Sequence, residues 1–175
     1  MTVTTLPTPT DLSITPRDRR FGRETATPRL WHGGRVEATA IYNALSATFP
    51  IGEAYFVESV RKFREGAPAK LAKEIQGFTT QEAIHSREHD AFNKRAASAG
   101  YDLSKLEARV EKRLAVTRAR TPIVNVAATM ALEHFTAIIA HELLANPRHL
   151  AGAEAETADL WRWHAVEEIE HKGVA

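Results

Sequence analysis

Two Glu and His pairs spaced i, i+3 are the residues in this sequence best suited to hold a metal: Glu82 with His85, and Glu168 with His171. At about 100° per residue, helical partners three apart lie roughly 60° from one another on one face. A single Glu-x-x-His is ordinarily a solvated surface pair. Here it occurs twice, and two isolated acids sit in otherwise apolar stretches, Glu53 within 51–57 and Glu133 within 127–140. A carboxylate in a helical core is costly unless it is neutralised, and four meeting there would repel one another. Two divalent cations would cancel that charge, and oxygen and imidazole ligands suit such ions. One Glu from each of two helices, with Glu-x-x-His from each of two others, is the ligand plan of di-iron and di-manganese carboxylate bundles. The chain order is Glu53, Glu82-x-x-His85, Glu133, Glu168-x-x-His171. These six residues are expected to converge on two metals about 3.5–4 Å apart.

Neighbouring residues compete for these roles. Glu58 rivals Glu53, but Glu53 shares a face with Val57 and Val60, whereas Glu58 has Arg61 and Lys62 at i+3 and i+4, the setting of a solvated ion pair. Glu167 lies i, i+4 from His171 and rivals Glu168; Glu170 is expected to be exposed. His164 shares a stripe with Glu168 and His171, and is either a third nitrogen ligand or a group supporting the site from outside. His89, four after His85, faces the same choice. His134 and His141 fall off the Glu133 face and read as supporting or surface groups. Small residues around Glu133 (Ala127, Ala128, Ala131, Thr136, Ala137) either leave a pocket for an apolar or aromatic substrate or allow close helix packing. Thr136 either delivers protons or bonds back within its own helix.

The elements that must position these groups are helical throughout. Alternating β-branched runs are missing, and the apolar spacing from residue 36 onward has the helical period. The first helix is expected over 37–63, kinked or split at Pro50 and Gly52 and ended by Gly66 and Pro68. A second spans 69–99, loosened at Gly77 and stopped by Gly100. A shorter charged helix over 103–118 reads as a crossover. Pro122 starts a long helix to Leu144, ended by Asn146-Pro147, and a last helix begins near Ala155. The native chain is expected to continue past Ala175. Residues 1–34, with Pro7, Pro9, Pro16 and Pro28, read as a flexible or strap-like arm. Its basic cluster (Arg17, Arg19, Arg20, Arg23) either meets an anionic partner or packs, solvated, on its own domain or a neighbouring subunit. The expected architecture is all-α: a four-helix bundle over 35–175 with an extra crossover helix and an extended N-terminal arm.

Composition bounds the function. The 175 residues suffice for one domain with a real core, and 43 % are hydrophobic. With 23 basic and 22 acidic residues there is no basic excess of the kind a nucleic-acid surface carries. Cysteine is absent, which excludes disulfides and thiolate ligands, so any metal is bound by His and carboxylate. No run approaches roughly 18 apolar residues, and no signal pattern opens the chain. The expectation is a cytoplasmic protein with no membrane or nucleic-acid partner, and with homodimerisation left open.

The stretches Phe49-Pro50-Ile51-Gly52-Glu53, Gln81-Glu82-Ala83-Ile84-His85 with His89, Leu132-Glu133-His134-Phe135-Thr136-Ala137, and Trp163-His164 through Glu167-Glu168-Ile169-Glu170-His171 resemble a bacterial family described as predicted metal-dependent hydrolases, from about Trp31 to the C-terminus. That description implies hydrolysis. The metal motifs also resemble the di-iron arylamine N-oxygenases of the ferritin-like group, whose pattern is Glu, Glu-x-x-His, Glu, His-x-x-x-Glu-x-x-His. It falls on Glu53, Glu82, His85, Glu133, His164, Glu168 and His171, so this resemblance implies a ferritin-like bundle in which His164 is the extra ligand. His89 is a departure that the pattern does not require. The leading expectation is a non-haem di-iron oxidoreductase that activates O2 for a small-molecule substrate. The alternatives are a hydrolase in which two Zn or Mn ions activate water, and metal storage without turnover. Iron is the first expectation for the two ions, with manganese and zinc able to use the same ligands.

Overall fold

The computed structural model describes residues 13–23 and 26–171. Five α-helices carry the fold: α1 (Val36–Arg61), α2 (Ala69–Ser98), α3 (Ser104–Arg118), α4 (Pro122–Ala145) and α5 (Ala155–Glu170), with a 3-10 turn at Pro147–Leu150 before α5. Among the described residues there is no strand, only an isolated bridge between His32 and Ala153. α1 packs on α2 and α4 on α5 as antiparallel pairs, and α3 crosses between the pairs against α1. This is the all-α helical bundle that the periodicity predicts.

α1 runs as one helix through Pro50, so of the expected kink or split the split does not occur. Proline lacks the N–H that would bond the carbonyl of residue i−4, here Ser46. Asn93 of α2 fills that role, its Nδ2 donating to Ser46 O at 3.1 Å. The freed carbonyl is therefore satisfied by tertiary contact and the helix continues. α2 also runs unbroken through Gly77. A Cβ there would lie 2.8 Å from the Ile14 side chain, so the glycine admits the N-terminal segment onto the helix surface. α2 stops where expected. Gly100, at φ +92°, donates to Ala97 O, and Tyr101 N donates to Ala96 O, the paired bonds of a Schellman cap.

The N-terminal segment lies along the bundle. Phe21 and Trp31 are buried, Phe21 against Trp163 and Trp31 against Phe92. Of its arginines, Arg17 pairs with Glu167 and Glu170, Arg20 with Asp18, and Arg23 with Glu88. Residues 1–12 of the proposed arm lie outside the described residues.

α4 departs from expectation. By length and composition it is apolar enough to cross a membrane, with a mean hydropathy of 1.5, although polar residues interrupt its apolar run. Its buried stripe is Asn125, Thr129, Glu133, Ala137, Ala140 and Leu143. Glu133 faces the other helices, as on a core helix, whereas Phe135, Ile138 and Ile139 are at least half exposed. Two apolar clusters flank the bundle's middle, one around Phe92, Leu160 and Trp161, the other around Tyr55, Phe56 and Phe78. Between them lies a layer of buried Glu and His.

Candidate metal centre

α1 contributes Glu53 to that layer, α2 contributes Glu82 and His85, α4 contributes Glu133, α5 contributes His164 and Glu168, and His171 follows directly at the end of α5. All seven are buried. One donor atom each from Glu82, His85, Glu168 and His171 lie within 4.8 Å of one another, as do those from Glu53, His85 and His164. His85 belongs to both groups. Glu133 joins through His171, its Oε2 lying 3.0 Å from His171 Nδ1. Glu58 is exposed and pairs with Arg118 at 3.1 Å and Lys62 at 3.5 Å. His134 and His141 are exposed.

Each of the three imidazoles has one nitrogen held from outside and the other turned inward. His85 Nε2 lies 2.9 Å from Glu167 Oε2, leaving Nδ1 without a hydrogen-bond partner, 3.7 Å from Glu168 and 4.0 Å from Glu82. His171 Nε2 donates to Gln81 Oε1 at 3.2 Å, and its Nδ1 faces Glu133 and Glu82. Gln81 is oriented by its own amide, which donates to Glu170 Oε2 at 2.8 Å. His164 Nε2 faces Glu168 Oε1 at 2.8 Å and Glu53 Oε1 at 3.6 Å, while its Nδ1 meets His89 Nε2 at 2.7 Å.

The hydrogen-bond directions behind His164 follow from Pro50. Asn93 gives its amide N–H to the carbonyl that the proline frees, so its Oδ1 accepts the Ser46 hydroxyl proton at 2.7 Å. Ser46 Oγ must then accept from His89 Nδ1–H at 2.8 Å. His89 Nε2 is left to accept from His164 Nδ1–H, which fixes His164 with Nε2 toward the cluster. His89 thus holds His164 rather than facing the carboxylates itself.

The electrostatics are those of a site short of positive charge. Burial, then the charges of Glu82 and Glu168, push Glu53 well above the ordinary carboxyl range. Burial also drives Glu82 well up, against the pull of His171, and raises Glu133 to about 7, with Glu168 adding to the shift. Glu168 differs: burial would raise it, but the charges of His171 and His164 bring it down to about 2. Burial works against His171 too, yet Glu82 and Glu168 lift it well above the ordinary imidazole value. Its imidazolium is the local counter-charge. Burial and neighbouring imidazoles hold His85 and His89 well below that value, as neutral rings with a lone pair to offer.

The atoms left without hydrogen-bond partners show how well the residues fit a metal. They include Glu53 Oε1, both oxygens of Glu82, His85 Nδ1, Glu133 Oε1 and Glu168 Oε2. Glu82 Oε1 is 3.0 Å from His171 Nδ1 but without hydrogen-bond geometry. Buried polar atoms in a native core are normally satisfied. Six unsatisfied donor atoms in one layer, all carboxylate oxygen or imidazole nitrogen, are a donor set that divalent first-row cations take.

Spacing did not identify the outer groups. Glu167, weighed only as a rival to Glu168, is fully buried and clamps His85 from outside. It is itself held by Arg17, through the backbone N–H at 3.0 Å and Nη1 at 3.2 Å. Glu170 is not freely exposed as expected: it is half-buried and bonded to Arg17, Gln81 and Thr15 N. Thr136 bonds back to Glu133 O at 3.0 Å. Gln81 stands directly before Glu82 in a quoted motif stretch, but nothing in the sequence marked it as buried or as the partner of His171.

No curated protein and no solved structure matches this chain. The family described as predicted metal-dependent hydrolase matches residues 15–175, nearly the whole sequence, and the chain belongs to that family.

Proposed function

We propose that this protein is a two-metal hydrolase in which Glu53, Glu82, His85, Glu133, His164, Glu168 and His171 are the ligands. The observation that carries the reading is the orientation of the three imidazoles, each anchored at one nitrogen and aimed with the other into a layer of unsatisfied carboxylate oxygens. Such partners fix the tautomer and direction of metal-binding histidines. Two divalent ions held there would supply Lewis acidity and a water acidic enough to attack at neutral pH. The protein's own groups do the rest. Glu167, His89 and Gln81 hold the rings in register. The flanking apolar clusters keep bulk water out of the layer. An apolar cavity that reaches His164 and Glu168 gives a substrate access.

The test is metal analysis of protein purified without added metal, followed by assay of zinc-, manganese- and iron-loaded protein on esters, amides and phosphoesters. Cleavage that chelator abolishes and metal restores is expected. A fully loaded protein that cleaves none of them refutes the reading.

A second reading is supported by the ligand order Glu, Glu-x-x-His, Glu, Glu-x-x-His, that of di-iron carboxylate bundles, with His164 standing where the di-iron arylamine N-oxygenases that these motifs resemble have their extra histidine. Under it the iron-loaded protein is an oxidoreductase acting on O2 and a small apolar substrate. Its test is O2 consumption by the ferrous protein, with the zinc protein inert towards all three hydrolysable classes.

A further inference from the structure

Two of the three hydrogen-bond chains that hold the imidazoles from outside have one origin. From His85 the chain runs to Glu167. His85 Nε2–H donates to Glu167 Oε2 at 2.9 Å, and Glu167 Oε1 accepts from Arg17 twice, from its backbone N–H at 3.0 Å and from Nη1 at 3.2 Å. From His171 the chain runs through two groups. Nε2–H donates to Gln81 Oε1 at 3.2 Å, Gln81 Nε2 donates to Glu170 Oε2 at 2.8 Å, and Glu170 Oε1 accepts from Arg17 Nη2 at 2.6 Å. The two terminal nitrogens of one guanidinium thus stand behind two imidazoles, one on α2 and the other at the end of α5.

These contacts differ from surface ion pairs. The Glu167 side chain is fully buried and that of Glu170 is 13 % exposed, against 37 % for Arg17, so water competes little on the acceptor side. A planar fork suits two carboxylates held at a fixed spacing. Arg17 is itself placed by apolar side chains on either side of it. Ile14 packs at Gly77 and on the cluster around Phe78, and Phe21 is buried against Trp163. The backbone is tied down as well, by Thr15 N on Glu170 Oε2 at 3.0 Å and Phe21 N on Glu88 Oε2 at 3.1 Å.

The consequence of the fork is plainest at Gln81. Glu170 takes the Gln81 N–H, which turns the amide oxygen towards His171 and leaves Nδ1 of that ring for the cluster. A reversed amide would offer His171 Nε2 a donor and demand its lone pair. The ring proton would then sit on Nδ1, the nitrogen that faces Glu82 and Glu133.

We propose that Arg17 is a positioning residue for the metal centre, fixing His85 through Glu167 and His171 through Glu170 and Gln81 so that Nδ1 of both rings faces the carboxylates. The inference rests on the two-metal reading of these ligands and is the same for a hydrolase and an oxidoreductase.

Zinc affinity by competition titration and the visible spectrum of the cobalt(II)-loaded protein test it, on the full chain. Arg17→Ala should weaken zinc about 10- to 100-fold, the usual result of losing a ligand's outer partner. It should also shift the cobalt bands, which follow the geometry of the ligating nitrogens and which lower fold stability alone does not move. Arg17→Lys keeps the charge but offers one nitrogen in place of the fork, and should recover only part of the affinity. Arg23→Ala is the control. Arg23 fastens the same segment to α2 through Glu88 at 2.6 Å, and Glu88 bonds to no imidazole among the described residues, so both readouts should stay as in wild type. Wild-type zinc affinity and cobalt spectrum in Arg17→Ala overturn the inference and leave the two-metal reading intact. Full recovery in Arg17→Lys does the same, as does a change in Arg23→Ala equal to that in Arg17→Ala, which would mean that any loosening of the segment suffices. If Arg17→Ala does not fold, Arg17→Lys decides by the same two readouts. A wild-type protein that takes up neither zinc nor cobalt overturns the two-metal reading and the inference together.

Discussion

Replacing Glu133 with Gln should stabilise the metal-free protein at alkaline pH and destabilise the metal-loaded one. Glu133 has its carboxyl raised to about 7 from the ordinary 4.5, by burial first and the charge of Glu168 second. A group whose native pKa is raised contributes stability that is fully present below its unfolded value and is lost as pH rises through the native one. For Glu133 that loss falls between about pH 4.5 and pH 7. At about 1.4 kcal/mol per pH unit, the interval corresponds to about 3 kcal/mol. A neutral amide carries no such penalty. In chelator, Glu133→Gln should therefore approach wild-type stability near pH 4.5 and exceed it by up to about 3 kcal/mol near pH 8, a rise of roughly 6–12 °C in melting temperature for a chain of this size. His85 and His89, held well below the ordinary value, titrate in the opposite sense, their contribution being lost as pH falls below 6.5, but they are common to both proteins. With metal bound the order reverses, because the carboxylate is then a ligand and the amide a poor one. Urea denaturation of both proteins, with chelator and with saturating zinc, near both pH values, measures the four differences. A metal-free variant that is no more stable than wild type near pH 8 refutes the account of Glu133 as a carboxyl that burial and Glu168 raise by more than His171 offsets.

His85→Ala and His171→Ala should each lower metal occupancy, measured by elemental analysis after dialysis, and abolish the rise in melting temperature that metal gives the wild type, since a ligand bound only by the native state stabilises it by linkage; melts unchanged by substitution and chelator alike would contradict this. His89→Ala, which leaves every proposed ligand in place, should weaken metal binding about 10- to 100-fold, as loss of a ligand's outer partner typically does; unchanged affinity in a competition titration would remove His89 from the site. Asn93→Leu should cost about 1–3 kcal/mol, because it strands the Ser46 carbonyl that Pro50 cannot bond. Pro50→Ala restores the helical N–H and should reduce that cost in a double-mutant cycle followed by urea denaturation, while strict additivity would show that Asn93 does not act through the carbonyl.

Much of this protein is legible along the chain. Helical period, the stop at Gly100 and the start at Pro122 follow from local chemistry, because caps and backbone limits act within a few residues. The two Glu-x-x-His pairs and the isolated Glu53 and Glu133 were visible because an acid in an apolar stripe is costly unless something answers it. Tertiary structure alone decided the rest. Spacing sets the direction of a side chain about its own helix axis, but not what stands opposite. Glu167 meets His85 from 82 residues away and His89 meets His164 from 75, contacts set by the register between α2 and α5. That register comes from packing. Pro50 illustrates the limit: read locally it breaks a helix, and the helix survives because Asn93, 43 residues further on, supplies the missing donor. The exposure of α4 has the same origin. Its apolar residues surround the helix, so composition could not say which stripe the bundle would bury; the neighbours of Glu133 decided that, by offering its carboxylate a charged partner in His171.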